Sequence, residues 1–167
     1  MDCKKGRLAL KNEQTPALTQ SVTRALDILS CFSNEKPELR VSDFAQRLNL
    51  TPSNVSRLLS TMVSLGYVAK DENTGHYRLG PEIVTLGGIA LNHYEIRKLA
   101  LPELYEIEKI TGLDTNLAIL DGGTVFYLAH VDSYNSPRMY TFVGRRNPIH
   151  STAMGKAMLT FMDSTAR

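Results

Sequence analysis

The sequence lacks tryptophan and has only two cysteines, Cys3 and Cys31, which lie far apart. Neither their number nor their spacing matches a zinc motif or the disulfide framework of a small secreted domain. Cys31 falls on an apolar helix face, where a free thiol serves as a small core residue. The cysteine content therefore favours a reducing compartment, and we expect a cytoplasmic protein.

Long apolar runs and a strong charge of either sign are also missing. No run approaches the length of a bilayer-spanning helix, and the polar first residues do not resemble a secretory signal. Lys and Arg number 19 against 17 Asp and Glu, so a nucleic-acid surface would have to be a local patch. Hydrophobic residues make up 43%, enough for a packed core and too many for wholesale disorder.

Residues 1–20 are polar and aperiodic, and we expect a disordered basic tail. It is either a solvated leader or an arm that contacts DNA phosphates. Residues 21–80 then carry the patterns of three helices and a β-hairpin. The first two helices are predicted to begin at the N-caps Ser21 and Ser42. The third has Thr51 as N-cap, Pro52 in its first position and Gly66 after its last turn.

The hairpin is predicted from strands at residues 67–70 and 76–79 with a turn between them. Two short helices, a capped third helix and a hairpin are the parts of a winged helix-turn-helix. Opposite its apolar stripe, the third helix carries small polar side chains, as a helix that enters the major groove must. Here Arg57 suits guanine or a phosphate, and Asn54 suits adenine. The alternative is that this face is only a solvated helix surface.

The predicted DNA contacts come from helix starts, the polar face of the third helix and the wing. They are Ser21, Arg24, Ser42, Thr51, Ser53, Asn54, Ser56, Arg57, Ser60, Lys70, His76 and Arg78. Ser42 and Thr51 are included because free N–H groups at a helix start bind phosphate. The acidic residues Asp71 and Glu72 at the wing tip limit how closely it approaches DNA.

Beyond residue 80 the pattern predicts a linker helix over 81–94 and then a second domain over 95–167. Its first helix ends before Gly112, with a kink expected near Pro102. Strands follow at 115–121 and 124–132, joined by Gly122-Gly123, a favoured hairpin turn. A third strand candidate spans 138–143, and Ser151 or Thr152 caps a helix to about residue 162. The expected fold class is α+β.

Enzymatic and metal-binding patterns are not found. Gly155-Lys156 lacks the glycine and the hydroxyl residue that a phosphate-binding loop needs, since His150 and Ala157 occupy those places. The four histidines have no metal-ligand spacing, and no nucleophile elbow is present. We therefore expect no cofactor, no metal and no enzyme activity.

The sequence resembles the IclR family of bacterial transcription regulators. The resemblance rests on an ordered set of segments, namely residues 21–29, 51–59, 65–68, 77–80, 120–123 and 144–157. It implies a dimer, or a dimer of dimers, that binds a palindromic operator in DNA, and a GAF-like C-terminal domain that binds a small organic acid. Residues 138–140 and 144–148 look most like repressors of sugar-acid catabolism, which sense 2-keto-3-deoxygluconate.

The resemblance also implies an effector site at the start of the last helix, where backbone N–H groups favour a carboxylate. Its expected residues are Arg145, Arg146, Ser151, Thr152, Ala153, Met154 and Gly155. At least one of the two arginines is expected to be a solvated loop residue instead.

Family members continue with further strands and a second cluster of pocket residues. We therefore expect the GAF-like domain here to be incomplete, through C-terminal truncation, with an exposed sheet edge and weakened effector binding. The main prediction is a DNA-binding regulator, most simply a repressor of a catabolic operon. Two alternatives stay open: a protein that only forms mixed dimers with a full-length relative, and an enzyme or metabolite-binding module in the C-terminal half.

Overall fold

The computed structural model describes residues 18–134 and 141–162, and the chain divides into two compact units, Met1–Gly88 and Ile89–Arg167. The predicted tail lies outside the described residues apart from its last three positions. Among the described helices, none has the length and apolar character needed to cross a bilayer.

The first unit contains three helices followed by a two-stranded antiparallel hairpin, which confirms the predicted order. The elements are α1 (Gln20–Leu29), α2 (Val41–Leu48), α3 (Pro52–Ser64), β1 (Val68–Lys70) and β2 (Tyr77–Leu79). Leu39 adds a backbone bridge to Tyr77 beside the hairpin. Helix α4 (Pro81–Asn92) follows, and the division between the two units falls within it.

The start of α3 is as predicted, whereas two other predicted caps are wrong. The Thr51 hydroxyl accepts from the Asn54 N–H at 3.4 Å, and Pro52 opens the helix. The N-caps of α1 and α2 are Thr19 and Arg40, so Ser21 and Ser42 lie inside the first turns. For α2 the reason is local: the Asp43 carboxylate accepts the Arg40 N–H at 2.8 Å, and this bond fixes the helix start.

The core of the first unit packs the inner faces of the three helices against the hairpin. Ile28, Phe44, Val55 and Leu59 are completely buried. The Phe44 ring meets the rings of Phe32 and Tyr77 edge to face. Each helix therefore contributes its apolar stripe to one core and leaves its opposite face to solvent.

Glycine is required where the hairpin returns to the end of α3. Gly66 has a φ of 77°, which ends the helix in the left-handed region. A Cβ on Gly80 would stand 2.0 Å from the Gly66 carbonyl oxygen. The two backbones thus touch directly, with no side chain between them.

The second unit is an antiparallel sheet with helices packed on it, which confirms the predicted α+β class. Its elements are α5 (Glu95–Thr111), β3 (Thr115–Asp121), β4 (Thr124–Val131), β5 (Arg146–Pro148) and α6 (Ala153–Thr160), in the sheet order β3-β4-β5. Gly122 and Gly123 have φ values of 54° and 75° and form the predicted tight turn.

The edge strand of this sheet differs from the prediction. Of the candidate strand 138–143, residues 138–140 lie outside the described residues and 141–143 are not in a strand. The strand that pairs with β4 is instead the short β5, with Phe126 opposite Arg146 and Thr124 opposite Pro148. This strand was not predicted because its segment is polar, Gly144-Arg145-Arg146-Asn147-Pro148. Pairing with β4, rather than β-propensity, holds β5 in place.

Helix α5 is fastened to the sheet by two polar contacts and an apolar cluster. It runs through Pro102, which lies inside the helix. Arg97 donates from Nε to the Leu128 carbonyl oxygen at 3.0 Å. The Thr115 hydroxyl donates to the Leu104 carbonyl oxygen, also at 3.0 Å. Leu104 packs with buried residues of β4. These contacts hold the beginning of β3 and the middle of β4 in fixed register with the helix.

Candidate nucleic-acid interface and effector cavity

Helix α3 has one buried and one exposed face. Val55 and Leu59 are completely buried and Met62 is 7% exposed. The predicted reading residues all lie on the exposed side, namely Ser53, Asn54, Ser56, Arg57 and Ser60. The helix therefore presents a narrow hydrophilic surface whose shape suits the major groove.

In the first turn of α3, one backbone N–H group is left without a hydrogen bond in the described part of the chain. Pro52 has no N–H, and Thr51 takes the Asn54 N–H. The Ser53 N–H is the remaining first-turn donor, and it has no hydrogen-bond acceptor among the described residues. A free N–H at the positive end of a helix is suited to a phosphate oxygen.

A cleft between α1 and α3 brings together four of the predicted contacts, Ser21, Arg24, Asn54 and Arg57. Gln20 and Thr61 also line it and were not among the predicted contacts. The start of α1 and the exposed face of α3 thus line one cleft that contains two arginines and Leu58.

The wing carries its predicted basic residues, but one of them is engaged. Lys70 donates from Nζ to Glu72 at 2.7 Å, and this hydrogen bond raises the pKa of the lysine. Arg78 is exposed on β2. Asp71 accepts the N–H groups of Asn73 and Thr74, and these bonds lower its pKa, so the acidic tip stays ionised. A phosphate contact from Lys70 therefore has to compete with Glu72.

His76 connects the wing to the start of α2. Its Nε2 accepts from Arg40 Nε at 3.2 Å, and its Nδ1 is buried with no hydrogen-bond partner in the described part of the chain. Arg40 is exposed next to the wing and was not among the predicted contacts. The available signal was a basic residue directly before a helix start. Ser60, in contrast, donates its hydroxyl to the Ser56 carbonyl oxygen at 2.9 Å.

A second cavity, of about 480 Å³, lies in the second unit at the start of α6. It is lined by Asn116, Tyr127, Thr141, Arg145, Asn147, Thr152, Ala153 and Met154. Thr152 caps α6 by accepting the Gly155 N–H at 2.9 Å. A Cβ on Gly155 would stand 1.9 Å from the Ile149 carbonyl oxygen, so the helix start packs tightly on the preceding turn.

The two arginines predicted for this cavity have separate positions. Arg145 lines it and donates from Nε to the Asn147 side chain at 3.2 Å. Arg146 does not line it: its guanidinium pairs with Asp121 and lies 4.2 Å from the centre of the Phe126 ring. Arg145 directly precedes β5, whereas Arg146 begins it and pairs with Phe126, so the two side chains have different surroundings. Ser151 is exposed and donates to the Pro148 carbonyl oxygen, so neither it nor Arg146 belongs to the cavity.

Comparison with known proteins gives matches to both halves of the chain. Residues 21–72 match the IclR helix-turn-helix domain, and residues 88–167 match the bacterial transcriptional regulator IclR C-terminal domain. The chain is 34% identical to the transcriptional regulator XynR of Escherichia coli, over 87% of this chain and 58% of XynR. It is also 34% identical to KdgR of Dickeya chrysanthemi, over 90% of this chain and 49% of KdgR.

A crystal structure of an IclR homolog from Microbacterium hydrocarbonoxydans, complexed with 4-hydroxybenzoate, matches the fold with a TM-score of 0.73. It is 25% identical, and the match covers 83% of this chain and 57% of that one. The chain thus spans about half the length of the relatives it matches. Because both of its units match the two domains of one family, in the family's order, the chain belongs to the IclR family of bacterial transcription regulators.

Proposed function

We propose that this regulator binds a palindromic operator through α3 and the wing, as a homodimer or a dimer of dimers, and represses a catabolic operon. Such a protein acts in the bacterial cytoplasm, on DNA of the nucleoid. The observation that carries the proposal is the division of α3, whose apolar side is buried while Asn54 and Arg57 are exposed. Exposed short polar residues around one arginine are what direct readout requires.

Dimerisation is supported by α4. This helix is rich in apolar residues, yet none of them is buried. Val84 is 76% exposed, Ile89 64% and Leu86 44%. Leaving these side chains in water costs free energy, and a second copy of the same helix would cover them. A two-fold dimer also fits a palindromic site, because the symmetry of the protein matches that of the DNA.

Selection from a pool of random duplexes tests operator binding. We expect enrichment of an inverted repeat and binding that weakens steeply with salt. In vitro transcription from a promoter containing the repeat then tests repression. If no duplex is enriched while the protein still dimerises, operator recognition is refuted and the dimer-only alternative is favoured.

For the effector, we propose a small carboxylate, with sugar acids as the first candidates. The cavity combines the α6 start with the Arg145 guanidinium, and both attract a carboxylate. The similarity to KdgR and to the homolog that binds 4-hydroxybenzoate supports an acidic ligand. This part of the proposal does not depend on operator recognition.

Calorimetric titration with 2-keto-3-deoxygluconate and with 4-hydroxybenzoate compares the two ligand classes. We expect Arg145→Ala to weaken binding by about tenfold or more, which is the loss of one charge-assisted hydrogen bond. Lys156→Ala is the matched control, since Lys156 is exposed on α6 and does not line the cavity. Equal loss in both variants, or no binding of either acid, would refute the site.

A further inference from the structure

Three side chains of the second unit converge where β3 begins and β4 ends. Asp114 directly precedes β3, His130 lies on β4 and Asp132 follows it. The antiparallel register places Thr115 opposite Val131 and Asn116 opposite His130, which brings the three residues to one end of the hairpin. Each offers a ligand atom, and these atoms all lie within 4.8 Å of one another.

The histidine at the centre of this cluster faces two oxygen atoms. Its side chain is only 8% exposed. Nδ1 lies 2.8 Å from the Asn116 side-chain oxygen, and Nε2 lies 2.8 Å from the Asp132 carboxylate. A neutral imidazole has one N–H, so it can donate to only one of these oxygens. When Nδ1–H donates to Asn116, the Nε2 lone pair faces the Asp132 carboxylate, and a cation bound between them would remove the repulsion.

Asp114 gives a second, independent indication of a cation. One carboxylate oxygen accepts the Ser133 N–H at 2.8 Å. The other, Oδ2, is buried and has no hydrogen-bond partner among residues 18–134 and 141–162. A buried carboxylate oxygen without a partner costs free energy that a bound cation would offset.

We propose that Asp114, His130 and Asp132 bind one divalent transition-metal ion, with Zn²⁺ the best match to their donors. One imidazole nitrogen and two carboxylate oxygens form a three-ligand set that leaves a fourth position for water. The Asn116 oxygen holds Nδ1–H, which is the usual outer-shell support of a metal-bound histidine. Calcium and magnesium prefer oxygen ligands alone, so the histidine disfavours them.

The distances allow such a site with small side-chain movements. Metal–ligand bonds of about 2.0–2.2 Å place two donors of a tetrahedral site about 3.4 Å apart. His130 Nε2 and Asp132 would separate by roughly half an ångström, and more distant pairs within the cluster would close. The Asp132 side chain is 79% exposed, which gives an ion direct access from solvent.

This cluster could not be predicted from the sequence, because its ligands are not spaced as a local motif. His130 and Asp132 are two residues apart on one strand end, whereas Asp114 is brought in by the hairpin register. Alternation alone would place residues two apart on the same side of a strand. Asp114 can be recognised as the third ligand only once the pairing of β3 with β4 is known.

Calorimetric titration of the whole chain with zinc chloride tests the proposal. Cys3→Ser serves as the parent, because Cys3 is a competing ligand. We expect one ion per chain, and at least about tenfold weaker binding in His130→Asn, Asp114→Asn and Asp132→Asn. The exposed position of Asp132 makes its variant the one least able to disturb folding. His93→Asn, at an exposed histidine outside the cluster, should bind as the parent does.

Cobalt substitution gives a readout that does not depend on stability. The d–d absorption of bound Co²⁺ should indicate nitrogen and oxygen ligands and should disappear in Asp132→Asn. A thiolate charge-transfer band, zinc binding unchanged in all three variants, or no binding by the parent would each overturn the proposal.

Discussion

Replacing Arg57 with alanine tests the reading face of α3 at its most informative position. Arg57 is exposed, lies beside Asn54 in the α1–α3 cleft, and its guanidinium has no hydrogen bond or ion pair within the described part of the chain. Alanine is as good a helix former as arginine, so the free energy of unfolding should hardly change. Any loss of DNA binding can therefore be assigned to the contact itself.

The expected magnitude depends on what the guanidinium meets. A bidentate contact to guanine is worth about 1–3 kcal/mol, which corresponds to a roughly 5- to 150-fold loss of affinity for the selected operator. A phosphate contact instead weakens specific and non-specific binding together, and lowers the slope of log K against log salt by about one. Loss of a guanine contact lowers the ratio of operator affinity to scrambled-duplex affinity, whereas loss of a phosphate contact leaves that ratio unchanged.

Fluorescence anisotropy over a salt series, on the operator and on a scrambled duplex, separates these cases. Lys109→Ala is the matched control, because Lys109 is an exposed helix cation in the second unit. Unchanged operator affinity in Arg57→Ala would remove Arg57 from the interface and refute the geometric reasoning about α3. An equal loss in the control would mean that net charge alone accounts for binding.

Two further predictions concern the wing. Glu72→Gln should release Lys70 from its ion pair, strengthen binding to any duplex and steepen the salt dependence by about one contact, as measured by the same anisotropy series; identical slopes would show that Lys70 does not reach DNA. Gly80→Ala should destabilise the first unit by about 1–3 kcal/mol in urea unfolding, because its Cβ would overlap a backbone carbonyl oxygen 2.0 Å away. An unchanged free energy of unfolding in Gly80→Ala would contradict the steric argument.

Sequence patterns predicted the parts of the fold that local chemistry determines. Thr51 and Pro52 mark the start of α3 because capping depends on neighbouring backbone groups alone. Gly122-Gly123 specifies its hairpin in the same way, through the positive φ angles that the turn requires. The apolar stripe of α3 identified both its core side and the opposite reading face.

Features that depend on a competing local hydrogen bond or on tertiary contacts were missed. Ser42 looks like a cap, but the Asp43 carboxylate binds the Arg40 N–H and moves the helix start. Likewise, β5 has a polar sequence and forms only because it pairs with β4. Arg145 lines the cavity just before that strand and Arg146 pairs with Asp121 from its first position, so a loop assignment could not distinguish them.

The direct contact between Gly80 and Gly66 has a consequence for operator choice. The hairpin packs onto the end of α3 through direct backbone contact, with no side chain between them. The hairpin and the helix therefore form one rigid unit. Its spacing is fixed before DNA arrives, which saves the entropy of ordering on contact. In the proposed operator complex each half-site would have to supply grooves at that separation, and sequences that bend easily to match it would gain an advantage at bases the protein never touches.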